Sequence, residues 1–131
     1  MPAITAPQAR VNYMASRVGR LAYSQLGDRL NPDQTGHTDC SGLVYADLRD
    51  VSGIILGTYT DTQAVQGSEV FGTSLNSVSE ALQLLQPGDR IYFQWTSHSG
   101  GPWWDHVEMY AGGGQTVGHG GDPYIREHMS E

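Results

Sequence analysis

The chain has 131 residues, 38% of them apolar, and 17 glycines, which suits one domain over 1–131 with a small core and many turns and argues against an all-helical bundle. Seven basic residues against fourteen acidic ones leave a net charge of −7, a field that repels polyphosphate and speaks against nucleic acid as a partner. No apolar run approaches the roughly 18 residues of a membrane helix, and the opening MPAITAPQAR lacks the apolar stretch of a secretory signal, so the expectation is a chain made in the cytoplasm with no membrane partner.

From Pro7 to Leu26 the apolar residues Val11, Met14, Ala15, Val18, Leu21, Ala22 and Leu26 recur at helical steps, with Thr5 able to cap the helix and Gly27 to end it. Residues Asp28 to Thr38 show no periodicity and read as an irregular loop. Leu43, Val44, Leu48 and Val51 then repeat with helical spacing behind Thr38 or Asp39 as cap and before Gly53 as stop, which places Cys40 in the first turn of a helix. Shorter helical pieces are expected at Thr60 to Gln66 and Val78 to Leu85.

The second half changes character. Pro87-Gly88-Asp89 signals a turn, and Ile91 to Trp95 is a strand by its aromatic and β-branched content. His106 to Ala111 alternates Val107, Met109 and Ala111 with His106, Glu108 and Tyr110 and reads as a half-buried strand. Gly112-Gly113-Gly114 turns it into a hairpin with Gln115 to His119. Helices followed by an antiparallel sheet make the fold class α+β.

The single cysteine forms no internal disulfide, so it is a core residue or a reactive thiol. Cys40 is not on the apolar stripe of its helix. A thiol attacks as thiolate, and the unpaired N–H groups of a first helical turn favour that charge and can also hold an oxyanion, the amide of Cys40 foremost. Asp39 and Ser41 flank the thiol with small polar groups that support such a site. Histidine titrates near neutral pH and suits the base, for which His106 stands at a strand start. The hairpin can bring His119 to the same side to hold the ring of His106. Trp103, Trp104 and Asp105 precede His106 and are candidates to line a substrate groove, while Trp95 reads equally as packing. His98 and His128 read as exposed. His37 opens an alternative in which His37, Cys40, His106 and His119 bind zinc, although no second metal-type spacing reinforces it. Otherwise no metal or cofactor is called for.

Thr38-Asp39-Cys40-Ser41-Gly42-Leu43-Val44 resembles the nucleophile motif of the NlpC-type cell-wall peptidases. Leu85-Gln86-Pro87-Gly88-Asp89-Arg90-Ile91-Tyr92-Phe93 resembles that family's turn and first core strand, Asp105 to Gly114 its histidine strand, and Val117-Gly118-His119-Gly120-Gly121 the strand bearing its third catalytic residue. Thr60-Asp61-Thr62-Gln63-Ala64 is similar to its short Thr/Gln helix. The resemblance implies a papain-like α+β fold with N-terminal helices on a central antiparallel sheet. It implies a Cys40–His106–His119 mechanism through a thioester, and hydrolysis of peptidoglycan stem peptides, commonly between γ-linked D-glutamate and diaminopimelate.

An amidase or cross-bridge cutter on the same fold, or a wall-binding module without catalysis, are the alternative readings. The family's tyrosine before the nucleophile falls here near Asp28, with Tyr23 further upstream. The two histidines stand one residue further apart than the resemblance leads one to expect, an extra residue that the glycine turn can absorb. The missing leader fits the peptidase domain of a phage endolysin, released through a holin pore.

Overall fold

The structure is a computed structural model that describes residues 5–25, 27–67, 83–93 and 106–119. Helix α1 spans Ala6–Ala15. Thr5 caps it, its hydroxyl accepting the Gln8 amide at 3.3 Å, and Val11 and Met14 point into the core. The helix stops well short of Leu26. Beyond Ala15 the backbone tightens into bonds from Arg17 to Met14 and from Val18 to Ala15, and Gly19 turns the chain at a φ of +79°. Val18 and Leu21 still pack against the core from these turns, which explains why the apolar spacing outlasts the helix.

The chain then forms β1 (Ala22–Tyr23), a 3-10 turn (Gly27–Leu30), α2 (Pro32–Thr35) and β2 (His37–Thr38). The stretch read as an irregular loop thus carries structure. β1 and β2 pair in parallel, Ala22 with His37 and Tyr23 with Thr38, and Ser24 donates to the Thr38 carbonyl at 2.8 Å.

Helix α3 (Cys40–Ser52) begins on the Asp39 cap and ends on Gly53 at a φ of +66°, with the Gly53 and Ile54 amides closing on Arg49 and Leu48. Leu43, Val44 and Leu48 join Val11, Met14, Leu56, Val107, Met109 and Val117 in one cluster. Burial of each such aliphatic side chain contributes about 1.5–3 kcal/mol. Helix α4 (Thr60–Gln63) follows.

Strands β3 (Arg90–Phe93), β4 (His106–Gly112) and β5 (Gln115–Val117) form an antiparallel sheet in that order. β4 is the central strand. It pairs Tyr92 with Val107 and Met109 with Val117, and its register shifts between Tyr110 and Gly112, where three glycines at positive φ turn the hairpin. β4 differs from the half-buried strand expected, because His106 through Tyr110 are all buried and the polar face is covered as well as the apolar one. The helix expected from Val78 lies mainly outside the described residues. Among the described residues no helix is long and apolar enough to cross a membrane.

Candidate active site

Cys40 is the first residue of α3, 7% exposed, and belongs to the apolar cluster, although the sequence sets it off the apolar stripe of its helix. The helix mouth is built around Asp39, whose Oδ1 accepts the Gly42 amide at 2.7 Å while its carbonyl accepts the Leu43 amide at 3.0 Å. Those two bonds leave the amides of Cys40 and Ser41 at the helix mouth, where partial positive charge collects. Gly42 is required there, since a Cβ would stand 2.5 Å from the Thr38 hydroxyl and 2.8 Å from the Arg29 carbonyl.

Behind the mouth lies Arg29, a residue that the sequence reading passed over. Its guanidinium is buried, with Nη1 3.0 Å from Asp39 Oδ1 and 3.4 Å from the Ser41 hydroxyl, and Nη2 donates to the Thr58 carbonyl. It also stacks over the Tyr59 ring at 4.6 Å. Asp39 and Ser41 therefore face this cation. Gln63 of α4 fixes the same turn from the other side, donating to the Ser41 and Gly57 carbonyls at 3.0 and 2.9 Å and receiving the Tyr92 hydroxyl.

The His106 ring at the start of β4 stands close enough to Cys40 for the thiol to act on its pKa. Nε2 lies 2.7 Å from Glu108 Oε2, so Nδ1 is the nitrogen left to face the sulfur. Burial acts to lower the pKa of this ring. The hydrogen bonds and negative charges of Cys40 and Glu108 outweigh it and hold the imidazolium up to about 9. The ring is thus held in its imidazolium form beside the sulfur.

Glu108 is fully buried, and its Oε1 accepts the hydroxyl of Thr116, itself fully buried on β5. The sequence signal for Glu108 was its position two residues after His106, on the same strand face. His119 lies elsewhere. Continuing the pairing of Met109 with Val117 sets Gly118 opposite Glu108 and His119 opposite Val107, so the hairpin does not put the two histidines on one face. His119 instead lines a small cavity with Met14, Leu21, Leu43 and Val117. Among the described residues its ring nitrogens have no hydrogen-bond partner, and its ring meets Tyr23 edge-on at 5.4 Å.

Tyr23 reaches the site despite its distance in sequence. Burial pushes its phenol pKa up, and the Cys40 charge adds to that. Burial likewise pushes the Tyr92 phenol up to about 12, against the pull of Arg90, and Cys40 contributes again. Tyrosines from β1 and β3 thus both feel the sulfur. His37 turns away to Asp28, 2.6 Å from its Oδ1, and among the described residues no three His, Cys, Asp or Glu side chains converge as metal ligands. Trp95, Trp103, Trp104, Asp105, His98 and His128 lie outside the described residues.

Residues 22–131 match the NlpC/P60 family. Among solved structures, the NlpC/p60 domain of the peptidoglycan hydrolase SagA aligns with a TM-score of 0.63 at 25% identity, over 94% of this chain and 87% of that one. A Staphylococcus aureus protein described as similar to lipoprotein, of the NLP/P60 family, aligns with a TM-score of 0.64 at 26% identity, over 96% of this chain and 37% of its own. NlpC2 from Trichomonas vaginalis shares the fold, with a TM-score of 0.66 at 21% identity over 95% of this chain. The chain spans 41% of the length of NlpC2 and 39% of that of NlpC1 from the same organism. No curated protein matches it.

Proposed function

Because the chain belongs to the NlpC/P60 family, whose papain-like α+β fold it has, we propose that it is a cell-wall hydrolase, a cysteine peptidase acting on the stem peptides of peptidoglycan. The observation that carries this reading is the placement of Cys40, at the mouth of α3, beside the His106 ring of β4, whose pKa the sulfur raises. A thiol so placed has both features that activate a cysteine: a helix N-terminus and an adjacent imidazolium.

In the proposed reaction the Cys40 thiolate attacks the carbonyl carbon of the scissile peptide bond. The new S–C bond moves an electron pair onto oxygen, and the amides of Cys40 and Ser41 at the helix mouth hold that oxyanion. As the C–N bond breaks, His106 gives its proton to the departing amine. The neutral ring then takes a proton from water, which attacks the thioester and releases the acid and the thiolate. The bond we assign is that between γ-linked D-glutamate and diaminopimelate.

Digestion of purified peptidoglycan tests this. Fragments with a new amino terminus on diaminopimelate are expected from the wild type and none from Cys40→Ala. A new terminus on L-alanine would reassign the chain as an amidase. Wall binding without fragment release, equal in both proteins, would replace the enzyme with a binding module.

A further inference from the structure

We propose that Glu108 is the positioning residue of this site: braced by Thr116, its carboxylate holds the His106 imidazole so that the opposite ring nitrogen meets the Cys40 sulfur, the role that the resemblance gives to His119.

Four observations converge on this assignment. Nε2 of His106 lies 2.7 Å from Oε2 of Glu108, the distance of a charge-assisted hydrogen bond. The other carboxylate oxygen accepts the Thr116 hydroxyl, so each oxygen has a fixed partner and the side chain has little freedom to turn. Gly118 leaves the space that the carboxylate arm fills, since a Cβ there would stand 2.6 Å from Cγ and 3.1 Å from Cδ of Glu108. His119, by the register of the hairpin, falls on the face of Val117 and Val107 instead.

A purely structural carboxylate is a poor alternative at this position. Glu108 is fully buried, and an anion removed from water is costly unless a cation stands against it. Among the described residues the imidazolium of His106 stands against it, and that is also the form of His106 that the proposed catalysis requires. The ring is faced by Cys40 from α3 and by Glu108 from its own strand, and these are the charges that act on it among the described residues. Among the described residues Tyr23 from β1, Tyr92 from β3, His119 after β5, and Asp39 with Arg29 at the helix mouth are further titratable or charged groups around the sulfur and its neighbours.

The test is an NMR titration of the His106 ring in wild type, Glu108→Gln, Glu108→Ala and His119→Ala, with steady-state kinetics on soluble wall fragments. Glu108→Gln keeps an acceptor for the ring but removes the charge, so the His106 titration should move to lower pH and kcat should fall about tenfold at nearly unchanged KM. Glu108→Ala should lose on the order of 10²-fold in kcat, and His119→Ala should leave the His106 titration where it was. If Glu108→Ala does not fold, the isosteric Gln variant decides alone.

An unmoved titration together with an unchanged kcat in Glu108→Gln overturns the proposal, as does a shift that appears in His119→Ala instead. The inference rests on the hydrolase reading only for its kinetic arm. The ring titration needs no substrate, so a chain that releases no wall fragments would sink the enzymatic reading while Glu108 is still judged by NMR.

Discussion

The backbone of Gly118 runs so close beside Glu108 that a Cβ on it would stand 2.6 Å from the glutamate's Cγ. Gly118→Ala should therefore push the carboxylate off His106, with an overpacking cost of about 1–3 kcal/mol. Removing the arm should relieve that clash. Denaturant melts are expected to show the double variant Glu108→Ala/Gly118→Ala about as stable as Glu108→Ala alone, a non-additivity that identifies the two residues as competitors for one space.

Arg29 is the buried cation behind the nucleophile turn, and Arg29→Ala would leave the Asp39 carboxylate without its counter-charge. Breaking such a pair from one side costs about 3–5 kcal/mol. Arg29→Lys should recover only part of this loss, because a single ammonium cannot reach Asp39, Ser41 and the Thr58 carbonyl together as the guanidinium fork does. Chemical denaturation of both variants measures the two losses.

The raised pKa of His106 has a defined sign. Its folded value of about 9 exceeds the ordinary 6.5, so the stabilisation it carries is complete below the unfolded pKa and is lost as pH rises through the folded one. kcat/KM is expected to decline on an alkaline limb near pH 9 as the imidazolium loses its proton, and the thermal midpoint should fall over the same window. A rate profile flat from pH 7 to beyond 10 would contradict the assignment of His106.

Asp47 sits two turns along α3 from the cysteine, fully buried, and among the described residues its carboxylate oxygens have no hydrogen-bond partner. Burial pushes its carboxyl up to about 8, with Arg10 and Arg17 pulling the other way. Since the folded pKa lies above the unfolded one, wild-type stability should decline from pH 4 to pH 8 as the unfolded chain gives up a proton that the folded one keeps. Asp47→Asn should flatten that slope and raise the melting temperature at pH 8, as calorimetry at pH 4, 6 and 8 would show.

The parts legible in the sequence were those written in local chemistry. Asp39 and Gly53 bracket α3 as cap and stop, and the glycine run turns β4 into β5, because capping and positive φ are properties of single residues. What escaped is non-local. Arg29 stands among Gly, Asn and Pro residues that signal only a loop, and its partners come from two separate segments, 39–41 and 58–59. Alternation sets Glu108 on the face of His106 but does not reveal that this polar side is also covered. α1 was read too long because tight turns preserve helical apolar spacing. Nor could counting residues show on which face His119 would emerge from a hairpin with a register shift, where one position exchanges the two sides.

The short parallel clip between β1 and β2 separates distance along the chain from distance in space. By tying Tyr23 to Thr38, two residues before the cysteine, it sets an aromatic ring edge-on against His119. The interval between them is no free bulge, since it carries the buried Arg29 that braces Asp39. The position of Tyr23 is thus set by strand pairing, and its count from the cysteine does not reveal it.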